Sequence, residues 1–240
     1  DYAGSSSTLT DAFYVKKDTS APSVTDGQAG DDSWRRFGGT VYNVDFGDAG
    51  AGLNGAKYEA WTGPARTGAQ EIALTAIPGV SGALFTDNWT ADFALLEQGT
   101  NYVSVEAYDA LASTVSSADV FYVRKDNAAP VITDNQAGDN TWRNAAGTVY
   151  NVDFQDLTSK LATAQYRITS AAAQGGTVIK DWTDIFTAQE LSSYETDWQV
   201  AFAALTSALE RMEQPVLLVH RLRVDGALVA AAGIRVGDIE

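Results

Sequence analysis

Aspartate is the side chain whose placing in this sequence can do chemistry. Asp18, Asp45 and Asp48 recur 108 residues later as Asp126, Asp153 and Asp156, and Asp109 and Asp225 each close an alternating run ahead of a turn. Calcium takes about six to eight oxygens, favouring carboxylates backed by carbonyls, so such a set can hold it. Aspartate also starts and stops turns by accepting hydrogen bonds from nearby backbone amides. Both readings apply to all eight positions. Two tryptophans form a second candidate set: Trp61 shares the polar face of an alternating segment with Lys57 and Glu59, and neither Trp61 nor Trp182 has a tryptophan 108 residues away. Exposed indole rings on a sheet stack on sugars or on a protein partner; an edge tryptophan covered by a loop is the plainer alternative.

Other chemistry is missing its residues. The 240 residues include no Cys, so disulfides, thiol nucleophiles and Cys-ligated metals are excluded. His220 is the single His, which rules out a two-His zinc site, and its apolar surroundings, Val216 to Val224, argue against a catalytic base. The net charge of −15 opposes binding to nucleic-acid phosphates or an anionic membrane, and no apolar run approaches the roughly 20 residues of a helical span. Gly50-Ala-Gly52-Leu-Asn-Gly55 has the spacing of a dinucleotide loop, but Ala56 to Trp61 continue as a strand where a helix should open. No enzyme is expected.

The elements that must position these residues come in a repeat. Residues 13–46 and 121–154 agree at 23 of 34 positions, at an offset of 108. A unit of that length matches the roughly 100 residues of an immunoglobulin-type sandwich. Period-two segments separated by Gly, Asp, Asn and Ser give strands near 21–26, 39–46, 55–61, 69–75, 88–95, 101–108 and 118–125 of the first repeat. Trp89 and Trp198 fall on the fifth of these strands, and Tyr102 is placed for a tyrosine corner. Short helical turns are expected at 187–193 and 207–213. The fold class is all-β: two tandem immunoglobulin-like β-sandwiches, residues 19–126 and 127–240, preceded in residues 1–18 by the last hairpin of another repeat. From residue 208 the aromatics stop and the net charge is −1, against −14 before it, so 208–240 reads as a diverged terminal hairpin.

Lys17-Asp-Thr-Ser-Ala-Pro22, Lys125-Asp-Asn-Ala-Ala-Pro130 and the loop Asp48-Ala-Gly-Ala-Gly52 resemble bacterial immunoglobulin-like repeats of large secreted or cell-surface proteins. The loop Asp156-Leu-Thr-Ser-Lys160 departs from that pattern. The resemblance implies an extracellular or cell-surface adhesion or spacer module, with neighbouring repeats as partners. If units stack end to end, Asp126 meets Asp153, Asp156 and Asp225, and Asp18 meets Asp45, Asp48 and Asp109, so calcium would stiffen each junction. A carbohydrate-binding accessory module using Trp61 and Trp182 is the alternative. Self-assembly through strand pairing of residues 1–18, and a protein or glycan ligand, are the remaining expected partners.

Overall fold

The computed structural model describes residues 2–28, 33–136, 143, 145–171, 173–205, 217–224 and 227–234. The chain forms two compact units, Asp1–Ser33 with Phe37–Lys125, and Trp34–Arg36 with Asp126–Glu240. Among the described residues all regular elements are strands, apart from one 3-10 turn at Phe202–Ala204. The strands are β1 (Ser23–Asp26), β2 (Trp34–Arg35), β3 (Val44–Gly47), β4 (Leu53–Gly63), β5 (Thr67–Ala76), β6 (Leu84–Phe85), β7 (Gly99–Asp109) and β8 (Thr114–Lys125), then β9 (Val131–Asp134), β10 (Val152–Gln155), β11 (Leu161–Thr169), β12 (Val178–Leu191), β13 (Ser193–Tyr194), β14 (Leu217–Val224) and β15 (Ala227–Ile234).

Unit 1 is a sandwich because two antiparallel sheets bury one alternating face each. The larger sheet carries β8-β7-β4-β5 side by side, and the smaller is β1-β3-β6. Ala56, Tyr58 and Ala60 of β4, Val103, Val105 and Ala107 of β7, and Phe121 and Val123 of β8 point inward, onto Val44, Phe46 and Phe85 of the smaller sheet. Tyr42, Trp89 and Phe121 pack at its centre, with Phe121 stacked on Tyr42 at a centroid distance of 4.2 Å. Unit 2 repeats the plan with β12-β11-β14-β15 and β13-β10-β9. Its core holds Val152, Phe154, Tyr166, Ile168, Phe186 and Trp198.

Several expected elements differ. No strand forms over 88–95; Trp89 makes only an isolated bridge to Tyr42, as Trp198 does to Tyr150. The indole nitrogens donate instead to the carbonyls of Val44 and Val152, so each ring is a core plug between segments. Residues 187–191 are not helical but continue β12, because pairing of Leu161 with Leu191 overrides a short local helical pattern. Tyr102 lies on the outer face between Trp61 and Tyr122 and is no tyrosine corner. The tyrosines that tie a hydroxyl to backbone are Tyr58, which accepts from the amide of Asp92, and Tyr166, which accepts from that of Ala201. The turn expected over 207–213, and Trp142, lie outside the described residues.

Candidate metal centre

Three aspartates of unit 1 come together from three distant parts of the sequence. Asp18 ends the segment before β1, Asp48 follows β3 and Asp109 ends β7; one carboxylate oxygen of each lies within 4.8 Å of the others. Asp48 and Asp109 are 5% and 1% exposed. Among the described residues no basic side chain pairs with any of the three, and like charges this close repel.

Backbone amides hold each carboxylate in place. Oδ1 of Asp48 accepts from Gly50 and Gly52, both at 2.9 Å. Asp18 reaches over this loop, its Oδ2 accepting from Ala51 at 2.6 Å and its Oδ1 from Ser20 at 2.9 Å. Gly50 allows that approach: a Cβ there would run into the Asp18 carboxylate. Gly52 has φ of +83°, the left-handed turn glycine adopts without strain. Oδ1 of Asp109 accepts from Leu111 and Ser113 at 2.8 and 2.7 Å. The amides of Ser20 and then Ala51 hold the Asp18 carboxyl below the ordinary value of 3.8.

These hydrogen bonds satisfy one side of the set and leave the other open. Oδ2 of Asp109 is buried and has no hydrogen-bond partner. A bare carboxylate oxygen in such a place is unfavourable unless a cation meets it. Three carboxylates with an open buried oxygen are a hard-oxygen donor set, which suits calcium; Mg2+ demands stricter octahedral geometry and gives up its waters reluctantly.

Unit 2 builds the same cradle from different residues. Oδ1 of Asp156 accepts from Thr158, Ser159 and Lys160, and Oδ2 of Asp126 accepts from Ser159 at 3.0 Å. Lys160 has φ of +72°, in the place of Gly52. The loop therefore keeps its shape although its glycines are gone. Asp225 lies outside the described residues.

Asp45 and Asp153 do not belong to these groups. Asp153 accepts from the Asn135 side chain at 2.7 Å. Gly27 stands at the place of Asn135, and Oδ1 of Asp45 is buried without a partner. Trp61 is half-buried on the outer face of β4, in register with Tyr102 and through it with Tyr122, and its Nε1 is buried and unpartnered. Trp182 is half-buried with the Arg167 guanidinium 5.9 Å from its ring centroid. Sequence reasoning missed Glu59, which is 6% exposed on that outer face and takes hydrogen bonds from Arg66 and, at 2.9 Å, Gln70. Its alternation with Lys57 and Trp61 read as a solvated face. The signal of burial was the hairpin β4–β5, which folds Arg66 and Gln70 back over it.

No family model matches the chain, and no curated protein matches it. Two solved structures are weakly similar to it. The crystal structure of CBD12 from CALX1.2 is 10% identical, over 77% of this chain and 75% of that one, with a TM-score of 0.24. That of the calcium binding domain CBD12 of CALX1.1 is 12% identical, over 78% and 75%, with a TM-score of 0.23.

Proposed function

We propose that this chain is a non-catalytic structural or adhesion module, a spacer built of tandem β-sandwich repeats at the cell exterior, of the kind the bacterial immunoglobulin-like repeats exemplify. Calcium bound by Asp18, Asp48 and Asp109 fixes the start of unit 1 to its own loops. The observation that carries the calcium reading is the buried, unpartnered Oδ2 of Asp109 beside two other carboxylates. Joining Asp18 to the β3–β4 and β7–β8 loops stiffens the entry to the sandwich, and stiffness is what a spacer needs. Short Ala-Pro segments at Pro22 and Pro130 add to it, since proline fixes φ and leaves little slack. Calorimetric titration of the chelator-treated chain with calcium, paired with thermal melts, tests this. Binding with a rise in melting temperature is expected; a melting temperature indifferent to millimolar calcium would sink it.

One observation favours a second reading, a carbohydrate-binding accessory module. Trp61, Tyr102 and Tyr122 form one aromatic row across three neighbouring strands, and unit 2 has Thr169 where Trp61 stands. The fold does not require that row. A glycan array, with Trp61→Ala as control, separates this reading from a bare spacer.

A further inference from the structure

The β4–β5 hairpin closes in a strained turn. The amide of Thr67 donates to the carbonyl of Pro64, and the two residues between, Ala65 and Arg66, have φ of +52° and +60°. A two-residue turn of this hand asks for Asn or Gly, because other side chains crowd the backbone in the left-handed region. Gly63 and Gly68 stand on either side of it.

What holds the turn down lies across the sheet. Val105 pairs with Ser117 and Val103 with Phe121, so residues 118–120 of β8 bulge opposite Ser104. Asp119 in that bulge has φ of +52°, and its amide donates to Oγ of Ser104. Its Oδ2 accepts from the amide of Ala65 at 2.6 Å. Arg66 donates to Glu59 of β4 and to Oγ of Ser116 of β8. The turn is thus folded back across the outer face, over Glu59 and Ser104, which are in register and 6% and 0% exposed. Bulges re-aim side chains, and strained backbone gathers at ligand clamps and switches.

The folded-back turn leaves two polar atoms unsatisfied. Oδ1 of Asp119 and Nε1 of Trp61 are buried without a hydrogen-bond partner. Trp61 also begins the aromatic row with Tyr102 and Tyr122. A carboxylate oxygen and an indole N–H beside aromatic rings complement a sugar, whose hydroxyls donate and accept and whose ring face is apolar. Unit 2 keeps the turn, with Ala173 and Gln174 at φ of +53° and +61°, but has Arg167 at the place of Glu59 and Thr169 at that of Trp61. The turn's shape therefore belongs to the repeat, while the Glu59 latch and the indole belong to unit 1.

We infer that residues 64–67 are a strap hinged at Gly63 and Gly68, latched by Glu59 and Asp119, and that lifting it opens a sugar-hydroxyl site at Asp119 Oδ1 and Trp61 Nε1. For its ligand this rests on the carbohydrate-binding reading. Lifting relieves the strain at Ala65 and Arg66 and breaks the ties, so the open state is a minor one that a sugar selects.

Hydrogen exchange of the full chain, read by NMR, tests the strap without any ligand. The Trp61 indole N–H should exchange ahead of the β7 amides. Asp119→Gly and Arg66→Gly should each speed it by about 10-fold or more, for the loss of a charge-assisted tie. Both positions already have a φ that suits glycine, so both variants should fold. Cello-, xylo- and manno-oligosaccharides test the site. Arg66→Gly should bind one of them more tightly than wild type, and Asp119→Gly, open but lacking its carboxylate, should not. A Trp61 N–H that exchanges only with global unfolding, or that neither variant moves, overturns the strap. Equal binding by wild type and Arg66→Gly overturns its gating role and leaves the carbohydrate reading standing. No binding by any of the three chains, with Trp61 exchange still set by the latch, overturns the sugar site and the carbohydrate reading together but not the strap.

Discussion

Asp109 is the residue on which the calcium reading turns. Replacing it with Asn keeps an oxygen for the amides of Leu111 and Ser113 and puts a donor where the unpartnered Oδ2 was. Asp109→Asn should therefore leave the calcium-free chain at least as stable and abolish the calcium-induced rise in melting temperature. At calcium about 100-fold above its Kd the lost stabilisation is about 2.7 kcal/mol. For a unit of this size that is roughly 10 °C, read by a melt with and without calcium. Gly50→Ala tests the cradle without touching a carboxylate. Its Cβ would meet the Asp18 carboxylate, so calcium affinity should fall while the calcium-free melt moves little. Unit 2 has Thr158 at this place, and there the bond matching Ala51 to Asp18 is longer, 3.0 Å against 2.6 Å. The aspartates were legible in the sequence because they recur 108 apart. Which of them gather was less so. Asp45 differs from Asp48 by three residues in one loop approach, and only the strand's end separates a β3 side chain from a cluster member.

At the scale of elements, alternation foretold β4, β7 and β8 well, since long central strands bury every second residue. It failed where burial is not periodic. Trp89 sits in a segment without ladder partners, held by its ring and one indole hydrogen bond, and a large buried aromatic there mimics a strand residue. β12 gave the opposite error, its polar stretch suggesting a helical turn. The device that closes this irregular segment is the same in both units, a tyrosine hydroxyl accepting one backbone amide. Tyr58→Phe and Tyr166→Phe should each cost about 1 kcal/mol, the usual worth of one such bond, measured by denaturant unfolding. Lys125→Met removes three hydrogen bonds from the end of β8 and leaves the carbonyls of Phe93, Ala94 and Leu96 without their donor. A larger cost of about 1–3 kcal/mol is expected there, because charged donors in buried places are the expensive ones to lose.

For the whole molecule, the −15 charge concentrates in meaning at one place where acid and calcium compete. Amides of Ser20 and Ala51 hold the Asp18 carboxyl below 3.8 in the folded chain. The folded state then binds that proton less readily than the unfolded one. The stability it confers is present above the ordinary carboxylate value and is lost as pH falls through the lowered one. Calcium needs the Asp18 carboxylate ionised, so protons compete with it as pH falls through that lowered value. The calcium-induced rise in melting temperature should be full near pH 6 and shrink as pH falls through the lowered Asp18 value. Magnesium at equal concentration should raise it less at every pH, since it keeps its waters and its octahedral geometry. Thermal melts across this pH series, with calcium, magnesium or chelator, measure both effects. A calcium shift that does not shrink as pH falls through that value would mean the ion acts away from Asp18, Asp48 and Asp109, and an equal response to magnesium would mean charge screening on an acidic chain.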